Sequence, residues 1–203
     1  MEKIESVIFD WGGVLIDDPA PGLMQYCARA LGVSKEGFTK AHNKFAPDFQ
    51  KNLVSEEIFW ERICGLLNVP APKVSSLWFE AFRAIYIPKE EMLSLAASLK
   101  QSGYKTALLS NTEVPAMQYY PQLGYDMFDE TIFSCAEGTR KPERRIYELT
   151  VDRLGCRPEQ VVFIDDLVEY INGAKQAGLK TILFENIDQC KKALIGLGIE
   201  WTE

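Results

Sequence analysis

The chain has 203 residues, of which 47% are hydrophobic and 25% are charged, and its net charge is −7 at pH 7. This composition is typical of a globular protein with a full hydrophobic core, and the acidic balance disfavours nucleic acid and anionic membranes, which select for basic surfaces. The sequence shows no basic leader segment and no apolar stretch near the ~18 residues that a membrane span needs, which predicts a cytoplasmic protein.

Short apolar runs alternate with segments of helical period along most of the chain. The apolar runs predict strands at residues 6–9, 106–109, 130–133, 161–164 and 181–184. The periodic segments between them predict helices at residues 89–101, 142–154, 168–177 and 188–197. This alternation is typical of βα units, so we expect an α/β fold with a parallel, Rossmann-like sheet.

One long interval, residues 17–87, breaks the alternation. Its apolar residues follow the helical period only, and Ser34 and Ser55 have the character of helix N-caps. Prolines at both ends of the interval favour hinges there. We therefore expect a helical cap at residues 17–87, inserted after the first strand, and a catalytic core formed by residues 1–16 and 88–203.

Polar residues follow several of the predicted strands. They are Asp10 after the first strand, Ser110 and Asn111 after the second, Asp165 and Asp166 after the fourth, and Lys141 at the start of the preceding helix. Each of them alone also suits an ordinary turn or helix cap. In doubly wound sheets, however, ligands bind at the carboxyl ends of the strands, so together these residues predict one functional site.

The residue types at this edge suit phosphoryl chemistry. Three neighbouring carboxylates repel one another unless they share a divalent cation, and hard oxygen ligands favour Mg²⁺. An ammonium group and a hydroxyl group can then hold phosphoryl oxygens. A carboxylate such as that of Asp10, placed in line with the leaving oxygen, can attack phosphorus and form an aspartyl phosphate.

Four motifs in this order resemble the haloacid dehalogenase superfamily. They are FDWGGVL at 9–15, LLSNT at 108–112, RKP at 140–142 and FIDD at 163–166. The resemblance covers nearly the whole chain, because the helical insert lies between the first two motifs, where subfamily I of these hydrolases has its cap. It implies a magnesium-dependent phosphatase that acts on a small phosphorylated metabolite, such as a sugar phosphate, and it leaves the oligomeric state open.

The same resemblance assigns roles to individual residues. It implies that Asp10 is the nucleophile and a metal ligand, that Ser110 and Asn111 bind substrate, and that Lys141 neutralises charge. The remaining implied ligands of Mg²⁺ are the backbone carbonyl of Gly12 and the carboxylates of Asp165 and Asp166.

Two positions depart from the usual pattern of these phosphatases. Gly12 occupies the place of an aspartate that acts as general acid and later as general base, and Tyr170 stands where an asparagine is common. A missing general acid typically slows hydrolysis ~10²–10⁴-fold. Asp17, Asp18 and Glu113 are candidate proton donors that the sequence does not rank.

Two alternative functions remain open at this point. A hydrolytic 2-haloacid dehalogenase needs no general acid, so Gly12 permits it, although that branch usually lacks the pair Asp165 and Asp166 and needs no metal. A weakly catalytic or non-catalytic binding protein is the other alternative, favoured by Gly12 and Tyr170.

The single histidine, His42, is expected at the protein surface, solvated or partly packed.

Overall fold

A five-stranded parallel sheet forms the centre of the computed structural model, which describes residues 2–202. The strand order is β3-β2-β1-β4-β5. The strands are β1 (Ser6–Phe9), β2 (Lys105–Ser110), β3 (Glu130–Phe133), β4 (Val161–Asp165) and β5 (Lys180–Leu183). All five predicted strands are confirmed, and with them the expected α/β fold.

Helices surround this sheet. Four lie in the insert after β1, namely α1 (Ala20–Leu31), α2 (Lys35–Gln50), α3 (Glu56–Leu67) and α4 (Leu77–Ile85). The others are α5 (Glu90–Gln101), α6 (Val114–Tyr119), α7 (Ser134–Glu137), α8 (Arg144–Leu154), α9 (Val168–Gln176) and α10 (Ile187–Gly196). The short helices α6 and α7 were not predicted, because neither is long enough to show a helical period.

The two faces of the sheet contribute to two separate hydrophobic clusters. Val7 and Phe9 of β1 pack in a large cluster that also contains residues of the inserted helices. Ile8 points to the opposite face and packs with residues of α8 and α9, such as Ile146 and Ile171. Successive strand side chains alternate between faces, and a parallel sheet buries both faces, so β1 is buried throughout its length, including the polar Ser6.

The insert is joined to the sheet region through two adjacent chain crossings. The backbone N–H of Asp17 donates to the carbonyl of Ile87 over 2.9 Å, and that of Lys89 donates to the carbonyl of Leu15 over 2.9 Å. The predicted N-caps are confirmed, since the Ser34 and Ser55 hydroxyls accept backbone hydrogen bonds at the starts of α2 and α3. Within residues 2–202, none of the helices has both the length and the apolar character that crossing a membrane requires.

Candidate active site

The ends of β1, β2 and β4 bring the predicted site residues together. In the register of the sheet, Phe9 is level with Leu108 of β2 and Ile164 of β4, so the next residues along these strands share one edge. The backbone N–H of Asp10 donates to the carbonyl of Ile164 over 2.9 Å and continues the pairing. Asp10 therefore lies beside the end of β4, as the carboxyl-edge argument predicted.

Lys141 is the centre of the charge arrangement. Its Nζ lies 2.7 Å from Asp10 Oδ1 and 2.7 Å from Asp165 Oδ2, and its side chain is 1% exposed. Burial works against the charged form of Lys141, but attraction to Asp10 and Asp165 outweighs it and raises the lysine pKa. The ammonium group is thus held charged in the interior of the protein.

Asn111 fixes the position of this lysine. Its side-chain amide donates to the Lys141 carbonyl over 2.9 Å, while its Oδ1 accepts from the Lys141 backbone N–H over 2.8 Å. The same amide donates to the Tyr170 hydroxyl over 3.2 Å, and the Tyr170 ring centroid lies 4.9 Å from Lys141 Nζ. Tyr170, noted above as a departure in the sequence, therefore packs over Lys141.

Three carboxylates gather at this edge. Asp10, Asp165 and Asp166 each offer an oxygen atom within 4.8 Å of those of the other two. Burial raises the pKa of Asp10 well above its usual value, with Lys141 opposing the rise and Asp165 adding to it. Burial, and then the charge of Asp165, also raise the pKa of Asp166. One lysine therefore leaves part of the negative charge of this group uncompensated.

The three carboxylates together have the character of a site for a small divalent cation. Its ligands are hard oxygens, and the excess negative charge is what such an ion would neutralise. Gly13 lies against it with a positive φ of 84°, and a Cβ at this position would come within 2.2 Å of Asp166 Oδ2. Only glycine lets the loop approach Asp166 this closely, so the residues present fit Mg²⁺.

The three predicted acids are not equivalent. Asp166 and Asp10 line the cavity described below, whereas Asp165 is fully buried and is absent from the cavity wall. Asp165 Oδ1 accepts from the Leu167 backbone N–H over 2.8 Å, and its other oxygen binds Lys141. Both oxygens of Asp165 are therefore engaged within the protein, which leaves Asp10 and Asp166 as the carboxylates that face the open space.

Ser110 is the last residue of β2 and begins the short connection to α6, which we call the Ser110 turn. Its hydroxyl lies 2.6 Å from the Thr112 hydroxyl, and the Thr112 backbone N–H donates to Ser134 Oγ over 2.9 Å. The Ser134 hydroxyl in turn donates to the carbonyl of Gln50 in α2 over 2.7 Å. This chain of hydrogen bonds holds the Ser110 turn and ties it to the insert. No motif or spacing in the sequence pointed to Ser134 or Gln50.

A cavity of about 340 Å³ lies between the strand ends and the insert. Asp10, Ser110, Asn111 and Lys141 line it on the sheet side, together with Gly12 and Asp166. Its apolar wall includes Trp11, Ile16, Leu23, Met24, Trp78 and Phe82. Six of the seven predicted site residues thus face one space that is suited to a small molecule.

Gly12 has a steric reason to be glycine. A Cβ at this position would lie 2.8 Å from Cδ and 3.3 Å from Cγ of Pro19, the residue before α1. The ring of Pro19 therefore occupies the space that a side chain at position 12 would need. The loop before α1 therefore leaves little room for an aspartate at position 12.

His42 is partly packed, which is one of the two environments expected for it. Its ring is half-buried, stacks on Trp78 at a centroid distance of 5.3 Å and lines the cavity. Burial lowers the pKa of His42 and so favours the neutral ring. The ring is held there because His42 and Phe49 of α2 pack against Trp78 of α4, a contact that the sequence pattern did not reveal.

Comparisons with known proteins point in one direction. A family model for haloacid dehalogenase-like hydrolases matches residues 4–178. The chain is 28% identical over 204 residues to mouse acyl-CoA dehydrogenase family member 10, which covers 95% of this chain but only 19% of that protein. It is 34% identical over 135 residues to a glyceraldehyde 3-phosphate phosphatase of Methanothermobacter thermautotrophicus, covering 65% of this chain and 58% of the relative.

A solved structure has the same fold. The HAD family enzyme BT-2542 of Bacteroides thetaiotaomicron, in complex with magnesium and inorganic phosphate, aligns with a TM-score of 0.70. The alignment covers 90% of this chain and 94% of that one at 23% identity. The likeness at this identity concerns the fold, namely a parallel sheet with a helical insert.

Proposed function

The chain belongs to the haloacid dehalogenase-like hydrolase family, and on that premise we propose that it is a magnesium-dependent phosphatase acting on a small phosphorylated metabolite. The observation that carries the proposal is the group of Asp10, Asp165 and Asp166, with oxygen atoms within 4.8 Å of one another. A hydrolytic dehalogenase would have no use for such a group, because it needs no metal. Two relatives support the proposal, one named for its phosphate ester substrate and one solved with magnesium and phosphate.

In the proposed reaction Asp10 is the nucleophile. One of its carboxylate oxygens attacks phosphorus, the bond to the leaving oxygen breaks, and an aspartyl phosphate forms. Lys141 and Ser110 hold phosphoryl oxygens by charge and by a hydrogen bond, and Asn111 keeps Lys141 in place. Water then attacks the phosphorus and restores the Asp10 carboxylate.

The metal would be held by Asp10, Asp166 and the backbone carbonyl of Gly12, with Asp165 behind them. Bound Mg²⁺ would draw negative charge from the phosphoryl oxygens as the reaction proceeds. Asp165 has the separate task of holding Lys141, to which it is joined over 2.7 Å.

We further propose that residues 17–87 act as a cap that closes over the cavity and excludes water. The two backbone hydrogen bonds between the chain crossings, Asp17 to Ile87 and Lys89 to Leu15, mark the hinge. Leu23, Met24 and Phe82 of the insert line the cavity and would cover the leaving group of the substrate.

A substrate screen tests this function. Phosphate monoesters of small metabolites are incubated with the protein in the presence of Mg²⁺ or of a chelator, and inorganic phosphate is measured. We expect phosphate release that requires Mg²⁺. Chloride release from 2-chloropropionate in the presence of the chelator would instead establish a dehalogenase, and binding of esters without turnover would establish a binding protein.

A further inference from the structure

Gly12 leaves the proposed reaction without a proton donor at the usual position, so another acid must supply the proton. Besides Asp10 and Asp166, the carboxyl groups that line the cavity belong to Asp18 and Glu113. Asp18 is exposed, and its Oδ1 accepts from the Ala20 backbone N–H over 3.0 Å at the start of α1. Of these two acids only Glu113 is buried, and a buried carboxyl group is the kind that can keep its proton for donation.

Glu113 is fixed at the boundary between sheet and insert. It follows the Ser110 turn directly, precedes α6, and is 5% exposed. Its Oε2 accepts from the indole N–H of Trp78 in α4 over 2.9 Å. A carboxyl group in the same cavity as Asp10 is thus oriented by a residue of the insert.

The surroundings of Glu113 favour its protonated form. Burial raises its pKa, while its own backbone N–H, Trp78, the Gln50 side chain and the charge of Arg140 partly oppose the rise. Burial raises the pKa of the thiols of Cys27 and Cys135, and the negative charge of Glu113 adds to the rise. A buried acid that retains its proton can act as a general acid.

We propose that Glu113 is the proton donor to the leaving oxygen, in place of the aspartate absent at Gly12. The inference rests on the proposed phosphatase function. As Asp10 attacks phosphorus, the electron pair of the breaking bond goes to the leaving oxygen, which takes the proton of the Glu113 carboxyl. Water next attacks the aspartyl phosphate from the vacated side, gives a proton to the Glu113 carboxylate and releases phosphate, which returns both residues to their starting state.

This assignment also names the class of substrate. A proton donor accelerates only those esters whose alcohol is a poor leaving group as an anion. The natural substrate is therefore a phosphate monoester of an aliphatic alcohol, and acyl phosphates, whose leaving group is stable as an anion, gain nothing from Glu113.

The test compares Glu113→Gln with the wild-type protein on two esters, an alkyl phosphate and p-nitrophenyl phosphate. For Glu113→Gln we expect kcat on the alkyl ester to fall ~10²–10⁴-fold. Formation of the phosphoryl adduct from p-nitrophenyl phosphate should fall far less, because nitrophenolate leaves without a proton. Since the variant also lacks the base for the second step, rapid-quench mass spectrometry should find phosphorylated Asp10 accumulating.

Controls separate this role from a structural one. Glu57→Gln removes an exposed carboxylate of the insert and should match the wild type on both esters. Trp78→Phe keeps an aromatic ring but removes the hydrogen bond to Glu113, so it should slow the alkyl ester more than the nitrophenyl ester. Glu113→Asp should recover part of the alkyl activity, and it replaces Glu113→Gln if the latter fails to fold.

Equal losses on both esters in Glu113→Gln, without an Asp10 adduct, would overturn the assignment of Glu113. If the wild type releases phosphate from neither ester and forms no adduct on Asp10, the phosphatase function itself fails.

Discussion

The sheet side and the insert side of the cavity are built from different interactions. On the sheet side, Lys141, Asp10 and Asp165 form two ion pairs of 2.7 Å among almost fully buried side chains. On the insert side, aromatic rings pack against one another, as where His42 stacks on Trp78. Buried charges cannot be removed singly without leaving a partner uncompensated, whereas a packed ring tolerates conservative replacement. Changes on the sheet side should therefore have the larger effects.

The largest effect is expected for Asp10→Asn. The amide cannot attack phosphorus, so kcat should fall by at least about 10⁴-fold. Asp152→Asn, at an exposed position on α8, is the matched control and should retain wild-type kinetics. Phosphate release at steady state measures the activity of both variants, and thermal melts show whether both are folded. If Asp10→Asn kept more than about a hundredth of the activity, the nucleophile would lie elsewhere.

The next largest effect is expected on the Mg²⁺ affinity of Asp166→Ala. This carboxylate lines the cavity and is one of the three whose oxygens lie within 4.8 Å of one another. Its loss should weaken Mg²⁺ binding by at least about 10-fold, measured by titration calorimetry. Asp152→Ala, an exposed position on α8, provides the control. Unchanged affinity in Asp166→Ala would remove Asp166 from the metal site.

The sheet side was predictable from the sequence because its rules are local. A short apolar strand ends, a polar residue follows, and parallel register places such residues at one edge. Asp10, Ser110 and Asp165 were found in this way. Lys141 was placed with them from its position at the start of a predicted helix, but neither its burial nor its two ion pairs could be read from the sequence.

The insert side was not predictable in the same way. A helical period indicates which face of a helix is buried but not against which partner it packs. The bond from Trp78 to Glu113 joins residues 35 positions apart and depends on how α4 meets the turn after β2. For the same reason the sequence did not show that His42 lines the cavity, and it did not rank Glu113 above Asp17 and Asp18.

A smaller effect, on stability, is expected for Gly12→Asp. This variant tests the contact between Gly12 and Pro19, where the two sides of the cavity meet. In Gly12→Asp the new Cβ would lie 2.8 Å from Cδ of Pro19, so the loop must shift. We expect the free energy of unfolding to fall by about 1–3 kcal/mol, and the melting temperature by roughly 2–4 °C per kcal/mol for a chain of this size.

Two variants serve as comparisons for Gly12→Asp. Adding Pro19→Ala removes most of the ring and should restore the melting temperature. A Cβ added at Gly65 would meet no atom within 4 Å, so Gly65→Asp should cost much less. If Gly12→Asp proved as stable as Gly65→Asp, Pro19 would not explain the absence of a side chain at position 12.

The smallest effect is expected for the ion pair that joins the insert to the sheet region. Lys51, just after α2, binds Glu143 before α8 over 3.0 Å, with both side chains partly exposed. Exposed ion pairs contribute at most about 1 kcal/mol, which corresponds to a roughly five-fold change in an opening equilibrium. In Lys51→Met the insert should open more often, so the hinge amides of Asp17 and Lys89 should exchange with deuterium up to about five-fold faster.

Lys40→Met is the matched control, because Lys40 pairs with Glu36 over 2.7 Å inside α2 and does not reach the sheet region. It removes the same charge from the same part of the insert, so a general effect of net charge would appear in both variants. Faster exchange at the hinge in Lys51→Met alone would show that residues 17–87 open as one body on the Asp17 and Lys89 crossings. Equal exchange in both variants, with faster exchange confined to α2, would mean that the insert loosens locally and does not move as a cap.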